Sequence, residues 1–187
     1  MPDLRQPLVR TRRESQLIWW LKLGRDVLET VLPAIFIALL INLFLAQATR
    51  VYGQSMEPNL HPDQRLVVEK LSYLFHPPRR GDVVVLRLPQ RGSELLIKRV
   101  IGLPGDTVEI KNGRVYIDGR PLEEPYLNQP TPGEMAARVV PPLKVFVLGD
   151  NRSFSNDSRT FGMVPFENIV GRAWFSYWPI DEISWVR

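Results

Sequence analysis

One long apolar run near the N-terminus constrains the fold of this 187-residue chain more than any other feature. Residues 27–48 read VLETVLPAIFIALLINLFLAQA, and from Val31 onward only Asn42 and Gln47 interrupt the apolar side chains. A helix that crosses a bilayer needs about 20 mostly apolar residues. No later stretch of the chain resembles this one. The run therefore predicts a single transmembrane anchor over residues 27–48.

The residues before the run indicate its orientation. Residues 1–26 hold six basic side chains against three acidic ones, which is +3 of the formal net charge of +4. Basic residues flanking a span favour the cytoplasmic side, and Trp19 and Trp20 suit the membrane interface. We expect a cytoplasmic basic tail over residues 1–26 and an extracytoplasmic folded domain over residues 49–187. Since the positive charge lies in the tail, nucleic-acid binding by the folded domain is not expected.

Two other interpretations of the run remain open. Ala46-Gln47-Ala48 has the small-x-small pattern of a cleavage site, as in an export signal that is removed. An amphipathic core helix is the second, although no polar stripe interrupts the run. The long basic leader and the chemically suggestive residues that follow closely favour an anchor.

Beyond residue 49 the sequence is typical of a β-rich domain, with many Val, Ile, aromatic, Gly and Pro residues. Asn112-Gly113 predicts a hairpin, because a type I′ turn needs positive φ at both central residues. The proline-rich residues 123–143 are expected to be irregular, and no helix is predicted after the apolar run. The fold class is therefore mainly β with one N-terminal transmembrane helix, and strands are predicted over residues 65–73, 82–88, 95–103, 107–111, 114–118, 139–148 and 169–178.

The composition restricts the chemistry. The chain has no cysteine and only two histidines, His61 and His76, so disulfides and thiolate sites are excluded and a zinc centre is not expected. No cofactor is expected. A hydrolase of this composition has two obvious routes, which are paired carboxylates or a serine activated by a lysine, and the sequence favours the second.

Ser55 is the candidate nucleophile. It lies in Gly53-Gln54-Ser55-Met56-Glu57-Pro58, where glycine and proline predict a sharp bend that presents the hydroxyl on a loop. An ordinary turn serine is the alternative interpretation of this segment.

Lys98 is the candidate base, because it lies in the apolar segment LLIKRVIGL. Alternation along a strand puts Leu96, Lys98 and Val100 on one face and Arg99 on the other. Burial penalises the ammonium form of a lysine and lowers its pKa, so that the neutral amine can act as a base. A lysine that extends from a sheet edge into solvent is the alternative.

Residues 149–159, GDNRSFSNDSR, form a third segment of interest. Such a density of ionic and hydrogen-bonding groups is costly to bury unless the groups satisfy one another. Its alternating acids and arginines favour a network over a solvated loop.

Together these segments resemble the bacterial type I signal peptidases, also called leader peptidases. The motifs that carry the resemblance are SMEP at 55–58, RGDVV at 80–84, KRVIGLPGD at 98–106 and GDNRSFSNDSR at 149–159. Their order and content match the family across nearly all of residues 50–172.

The resemblance implies a serine-lysine protease with a mostly β fold that cleaves signal peptides from exported preproteins after small-x-small sites. Neutral Lys98 would take the proton of Ser55, which attacks the scissile carbonyl and forms an acyl-enzyme. The implied partners are preprotein signal peptides and the lipid bilayer of a plasma or thylakoid membrane. Ser155 would donate or accept a hydrogen bond that orients Lys98. Four charged residues would brace the site, namely Arg99, Asp150, Asp157 and Arg159. Met56 and Pro58 are assigned to the substrate pocket.

Three positions depart from the family pattern. Gly53 stands where some members have a serine that helps to hold the oxyanion, so one donor of the oxyanion hole is unassigned. Asn59 replaces a common threonine, and Ser153 replaces a common aspartate. None of these changes removes a group that reacts.

Two alternative functions remain. A self-cleaving repressor-type protease shares the serine-lysine dyad but carries a DNA-binding region where this chain has an apolar run. A catalytically inactive, membrane-tethered β-rich module that binds export substrates is the other, and the presence of Ser55, Lys98 and Ser155 argues against it.

Overall fold

The computed structural model describes residues 12–40, 46–89, 92 and 94–186. The chain divides into two compact units, Met1–Leu43 and Phe44–Arg187. The first unit contains helix α1, and the second contains all the strands.

Helix α1 spans Arg12–Leu40 and includes Pro33. It begins in the predicted basic tail, and most of its large apolar side chains are exposed, Phe36 and Leu39 at 62% each. Among the described residues, no helix has the combination of length and apolar character that a bilayer crossing requires. Residues 41–45 of the predicted anchor lie outside the described residues, and residues 46–48 form the start of the first strand.

The second unit is built mainly of short strands with two one-turn helices, as predicted for a mainly β domain. Its elements are β1 Ala46–Arg50, β2 Arg65–Glu69, α2 Ser72–Phe75, β3 Val83–Arg87, β4 Leu95–Gly102, β5 Thr107–Lys111, β6 Arg114–Ile117, β7 Arg120–Pro121, β8 Met135–Val139, β9 Lys144–Leu148, α3 Ser158–Phe161, β10 Val164–Pro165, β11 Ile169–Trp178 and β12 Ser184–Trp185. Two 3₁₀ turns, Phe166–Asn168 and Ile180–Glu182, flank β11.

The strands form two sheets. The larger has the order β1-β2-β11-β3-β4-β9-β10, with β12 added on β11, and the smaller has the order β7-β6-β5-β8. Strand β4 therefore lies inside the large sheet, where β3 and β9 pair with it on either side. Lys98 stands opposite Val84 of β3, so its backbone is fixed by a strand pairing in the interior of the sheet.

The two faces of the β3–β4 hairpin enter different hydrophobic clusters, as period-two alternation requires. Val85 and Ile97 belong to the cluster that contains Met56 and Leu60. Val84, Leu86, Leu96 and Val100 contribute to a second cluster with β9. A third cluster joins the small sheet to β9. Apolar side chains thus surround the stretch of β4 that carries Lys98.

Several predicted elements are confirmed, and others need correction. Strands β5 and β11 have the predicted bounds, and the hairpin turn has φ values of 50° at Asn112 and 75° at Gly113. The strand predicted over residues 65–73 ends at Glu69, and α2 follows it. The strand predicted over residues 139–148 is interrupted, because Pro141 and Pro142 cannot donate ladder hydrogen bonds.

Candidate active site

Ser55 lies in a tight turn between β1 and β2 that the hydrophobic core holds in place. Glu57 N donates to Gln54 O at 3.1 Å, and Leu60 N donates to Met56 O at 2.9 Å. Met56 and Leu60 are buried, at 1% and 3% exposure. The turn therefore presents a partly buried Ser55 from a rigid base, as the sequence predicts.

Lys98 reaches this turn from the interior of the large sheet. Its Nζ lies 2.7 Å from Ser55 Oγ and donates a hydrogen bond to Ile97 O at 2.8 Å. The residue is only 2% exposed. A neutral amine has two N–H donors and one lone pair, so a bond to Ile97 O leaves the lone pair able to accept the hydroxyl proton of Ser55. The geometry is that of a nucleophile beside its base.

The segment after β9 packs directly against Ser55, the candidate nucleophile. Asn151 N donates to Ser55 O at 3.0 Å. Gly149 approaches so closely that a Cβ there would overlap Ser55 O and Ser155 Oγ. A glycine is required at this position because any side chain would displace the main chain of the nucleophile.

Ser155 reaches the site, but its hydroxyl does not make the implied contact. Its Oγ is buried and has no hydrogen-bond partner within the described part of the chain. The hydrogen bond to Lys98 that the family resemblance implies is therefore not formed in this structure. A buried hydroxyl without a partner is costly, and its position beside Gly149 leaves it next to the nucleophile.

Arg99 and Asp150 form a buried ion pair behind the nucleophile. Arg99 donates from Nε to Asp150 Oδ1 at 2.8 Å and from Nη2 to Oδ2 at 2.6 Å, and the two side chains are 2% and 0% exposed. Asn59 Nδ2 donates to Asp150 Oδ2 at 2.8 Å and to Tyr126 O at 2.9 Å. The departure at Asn59 thus has a role, since this amide ties the nucleophile turn to two other segments.

Sequence reasoning missed a set of residues in the segment expected to be irregular. The ring of Tyr126 lies 4.1 Å from Arg99 Cζ, and its hydroxyl donates to Glu124 Oε1 at 2.7 Å. Burial, together with the charge of Glu124, raises the pKa of Tyr126, so the hydroxyl stays a donor. Arg152 donates to Glu124 and to Thr131. These side chains therefore extend the polar network from Arg99, through Tyr126 and Glu124, to Arg152 and Thr131.

Asp157 and Arg159 brace the loop of residues 149–159 itself. Asp157 is fully buried and accepts from Gly149 N at 3.1 Å and from Arg159 Nε at 2.9 Å. Arg159 Nη2 also donates to Arg152 O at 2.7 Å. The polar segment therefore forms a network, as predicted, in which both carboxylates are occupied by structural bonds and the buried Ser155 hydroxyl is left without a partner among the described residues.

One candidate oxyanion donor is available at the nucleophile. Gly53 has φ of 74° and supplies no side-chain donor. The backbone N–H of Ser55 donates no hydrogen bond within the described residues. It is free to bind a developing oxyanion.

The substitution Gly149→Ala is expected to lower hydrolytic activity by about 10²-fold or more, because a misplacement of about 1 Å near the chemistry can cost this much. The control is Gly24→Ala, in helix α1, where a Cβ meets nothing within 4 Å. Initial cleavage rates of the two full-length variants measure the effect. Equal rates would show that the nucleophile turn tolerates displacement.

Comparisons with known proteins identify the family of the chain. Residues 24–178 match the family described as "Signal peptidase, peptidase S26". A protein named signal peptidase I from Leptolyngbya laminosa is 44% identical over 84% of this chain and 81% of its own length. A probable signal peptidase I-1 from Synechocystis sp. is 44% identical over 84% of each chain. A crystal structure of a signal peptidase I from Enterococcus faecalis matches 52% of this chain and 97% of that chain, with 35% identity and a TM-score of 0.47. The family match covers more than half of the chain, and the chain belongs to the peptidase S26 signal peptidase family.

Proposed function

We propose that this chain is a membrane-anchored serine endopeptidase that removes signal peptides from exported preproteins after small-x-small sites. The observation that carries the proposal is the 2.7 Å separation between Lys98 Nζ and Ser55 Oγ at a lysine with 2% exposure. The family match supports the same function. The named relatives are signal peptidases.

The dyad supplies a base without histidine. Burial among apolar side chains disfavours the ammonium form, so Lys98 is neutral at the start of the reaction. It accepts the Ser55 proton as Oγ attacks the scissile carbonyl, and the Ser55 N–H binds the oxyanion. The resulting ammonium donates a proton to the departing amine, which leaves an ester on Oγ. Lys98 then activates the water that hydrolyses this ester.

Ser155 acts after Lys98 has accepted the Ser55 proton, when the lysine carries a positive charge. An ammonium group has three N–H donors, of which one is directed at Ile97 O and one at the reacting atoms. A further acceptor lies close by, because the buried Ser155 Oγ is beside the nucleophile and has no hydrogen-bond partner among the described residues. Ser155 thus stabilises protonated Lys98 and lowers the cost of placing a charge in a buried site.

The anchor is proposed to lie within residues 27–48, with residues 1–26 cytoplasmic and residues 49–187 extracytoplasmic. The apolar run and the basic residues that precede it support this topology, as do the exposed apolar side chains of α1. A tether confines enzyme and preprotein to the same membrane surface and raises their effective concentration.

The full-length protein is expected to cut a preprotein once, after a small-x-small site, and Ser55→Ala is expected to lose activity by about 10⁴-fold or more. Mass spectrometry of the products identifies the cut. A β-rich binding module would instead bind the preprotein equally well in both forms and release no product. Unchanged turnover by Ser55→Ala would show that Ser55 is not the nucleophile.

A further inference from the structure

A polar pocket of about 340 Å³ lies beside the nucleophile. Its lining residues include Glu57, Pro58 and His61, which follow Ser55 in the chain, and Asn151. Asn151 N is bonded to Ser55 O at 3.0 Å. The pocket therefore begins within two residues of the reacting hydroxyl.

A second groove is lined by residues that precede Ser55 and Lys98 in the chain. Its lining residues are Ala48, Thr49, Arg50 and Tyr52, and Glu94 and Leu95. The buried side chains of Val51 and Ile97 lie in the adjoining segments. Residues that follow Ser55 in the chain thus contribute to the polar pocket, and residues that precede it contribute to the less polar groove.

The pocket contains one carboxylate without a partner. Asp150 is neutralised by Arg99, and Arg152 by Glu124, so these wall residues present no net charge. Glu57 is partly buried, and its carboxylate makes no hydrogen bond or ion pair with any described residue. The remaining wall residues Asn128 and Gln129 carry amides. The pocket is therefore a hydrogen-bonding site with one uncompensated negative charge.

We infer that this pocket binds the first residues of the mature protein and prefers a basic side chain opposite Glu57. The inference rests on the proposed function, because it assigns the leaving half of the same substrate. The residues before the cut are small and adjoin an apolar signal segment, which suits the less polar groove. The mature chain is released into water, and its polar side chains suit a wall of amides and a carboxylate. A cation beside Glu57 gains Coulomb energy in a partly desolvated pocket.

The test uses preproteins with the same signal peptide and small-x-small site, and with Lys, Ser or Glu at the second, third or fourth mature residue. The full-length protein is expected to cleave the Lys substrate about fivefold faster than the Glu substrate, measured as kcat/KM at one of these positions. Glu57→Gln is expected to bring this ratio close to one. Glu57→Lys is expected to invert it.

Glu167→Lys is the matched control, since Glu167 is an exposed carboxylate that does not line the pocket. It is expected to keep the wild-type ratio. A ratio near one in the wild-type protein at all three positions would overturn the inference while the cleavage itself upholds the proposed function. A ratio that moves equally in Glu57→Lys and Glu167→Lys would also overturn it, because the effect would then be long-range charge. Absence of cleavage for every substrate would overturn the proposed function itself.

Discussion

Lys98→Met is expected to reduce preprotein cleavage by about 10⁴-fold or more, while the domain stays folded. Methionine is unbranched and apolar and only one atom shorter than lysine, so it fills most of the same space in β4. It removes the only amine within hydrogen-bond distance of Ser55 Oγ among the described residues. Single-turnover cleavage gives the rate, and circular dichroism with urea unfolding reports the fold. Near-normal turnover would refute the dyad.

Lys144→Met is the control for that substitution. Lys144 lies on β9, the strand next to β4 in the same sheet, and it makes no contact with Ser55 among the bonds of the described residues. The Lys144→Met variant is expected to keep full activity.

The pH profile of the wild-type enzyme gives an independent measurement, because activity requires the neutral amine of Lys98 and is lost as falling pH protonates it. The acid limb is expected well below about pH 10, where exposed lysines titrate.

The sequence predicts the elements that carry strong local patterns. Period-two alternation locates β4 and β11 and places Lys98 among apolar neighbours, and Asn112-Gly113 specifies its turn through positive φ. Strand β8 has no such pattern, because only Met135 of its five residues is buried. Strand β1 continues the apolar run without a turn signal, so its residues resemble the end of an anchor.

Two residues of the candidate site, Ser55 and Lys98, could be predicted because their chemical type is unusual in the local sequence around them. A lysine in an apolar strand and a serine in a fixed bend are unusual locally, and the motif order joins them. Glu124, Tyr126 and Thr131 have no local signal, because their partners Arg99 and Arg152 lie far away in the sequence. The bond implied for Ser155 is absent, since its buried Oγ has no partner among the described residues, and residue identity alone does not specify such a contact.

The Arg99–Asp150 pair links the strand that carries the base to the segment that contacts the nucleophile. Arg99 is adjacent to Lys98 on β4, and Asp150 is adjacent to Asn151, whose N–H binds Ser55 O. Asn59 adds the nucleophile turn to the same carboxylate. One buried carboxylate therefore sets the relative positions of all three segments.

Asp150→Asn is expected to lower the free energy of unfolding by about 3–5 kcal/mol, the cost of leaving one member of a buried ion pair without its partner. The asparagine keeps the shape of the side chain but removes the charge opposite Arg99. Its amide also turns two donors toward a site where Arg99 and Asn59 already donate. Urea unfolding of the full-length protein in detergent, followed by circular dichroism, measures the change.

Asp63→Asn makes the same chemical change at an exposed ion pair. Arg50 and Asp63 lie 2.6 Å apart with side chains 52% and 71% exposed, and a surface pair of this kind contributes about 0–1 kcal/mol. Asparagine also tolerates the φ of 73° at this position. The difference between the two variants isolates burial from charge removal. If both lost the same small amount, the Arg99–Asp150 pair would not hold the site together, and the positions of Ser55 and Lys98 would have to depend on the hydrophobic clusters alone.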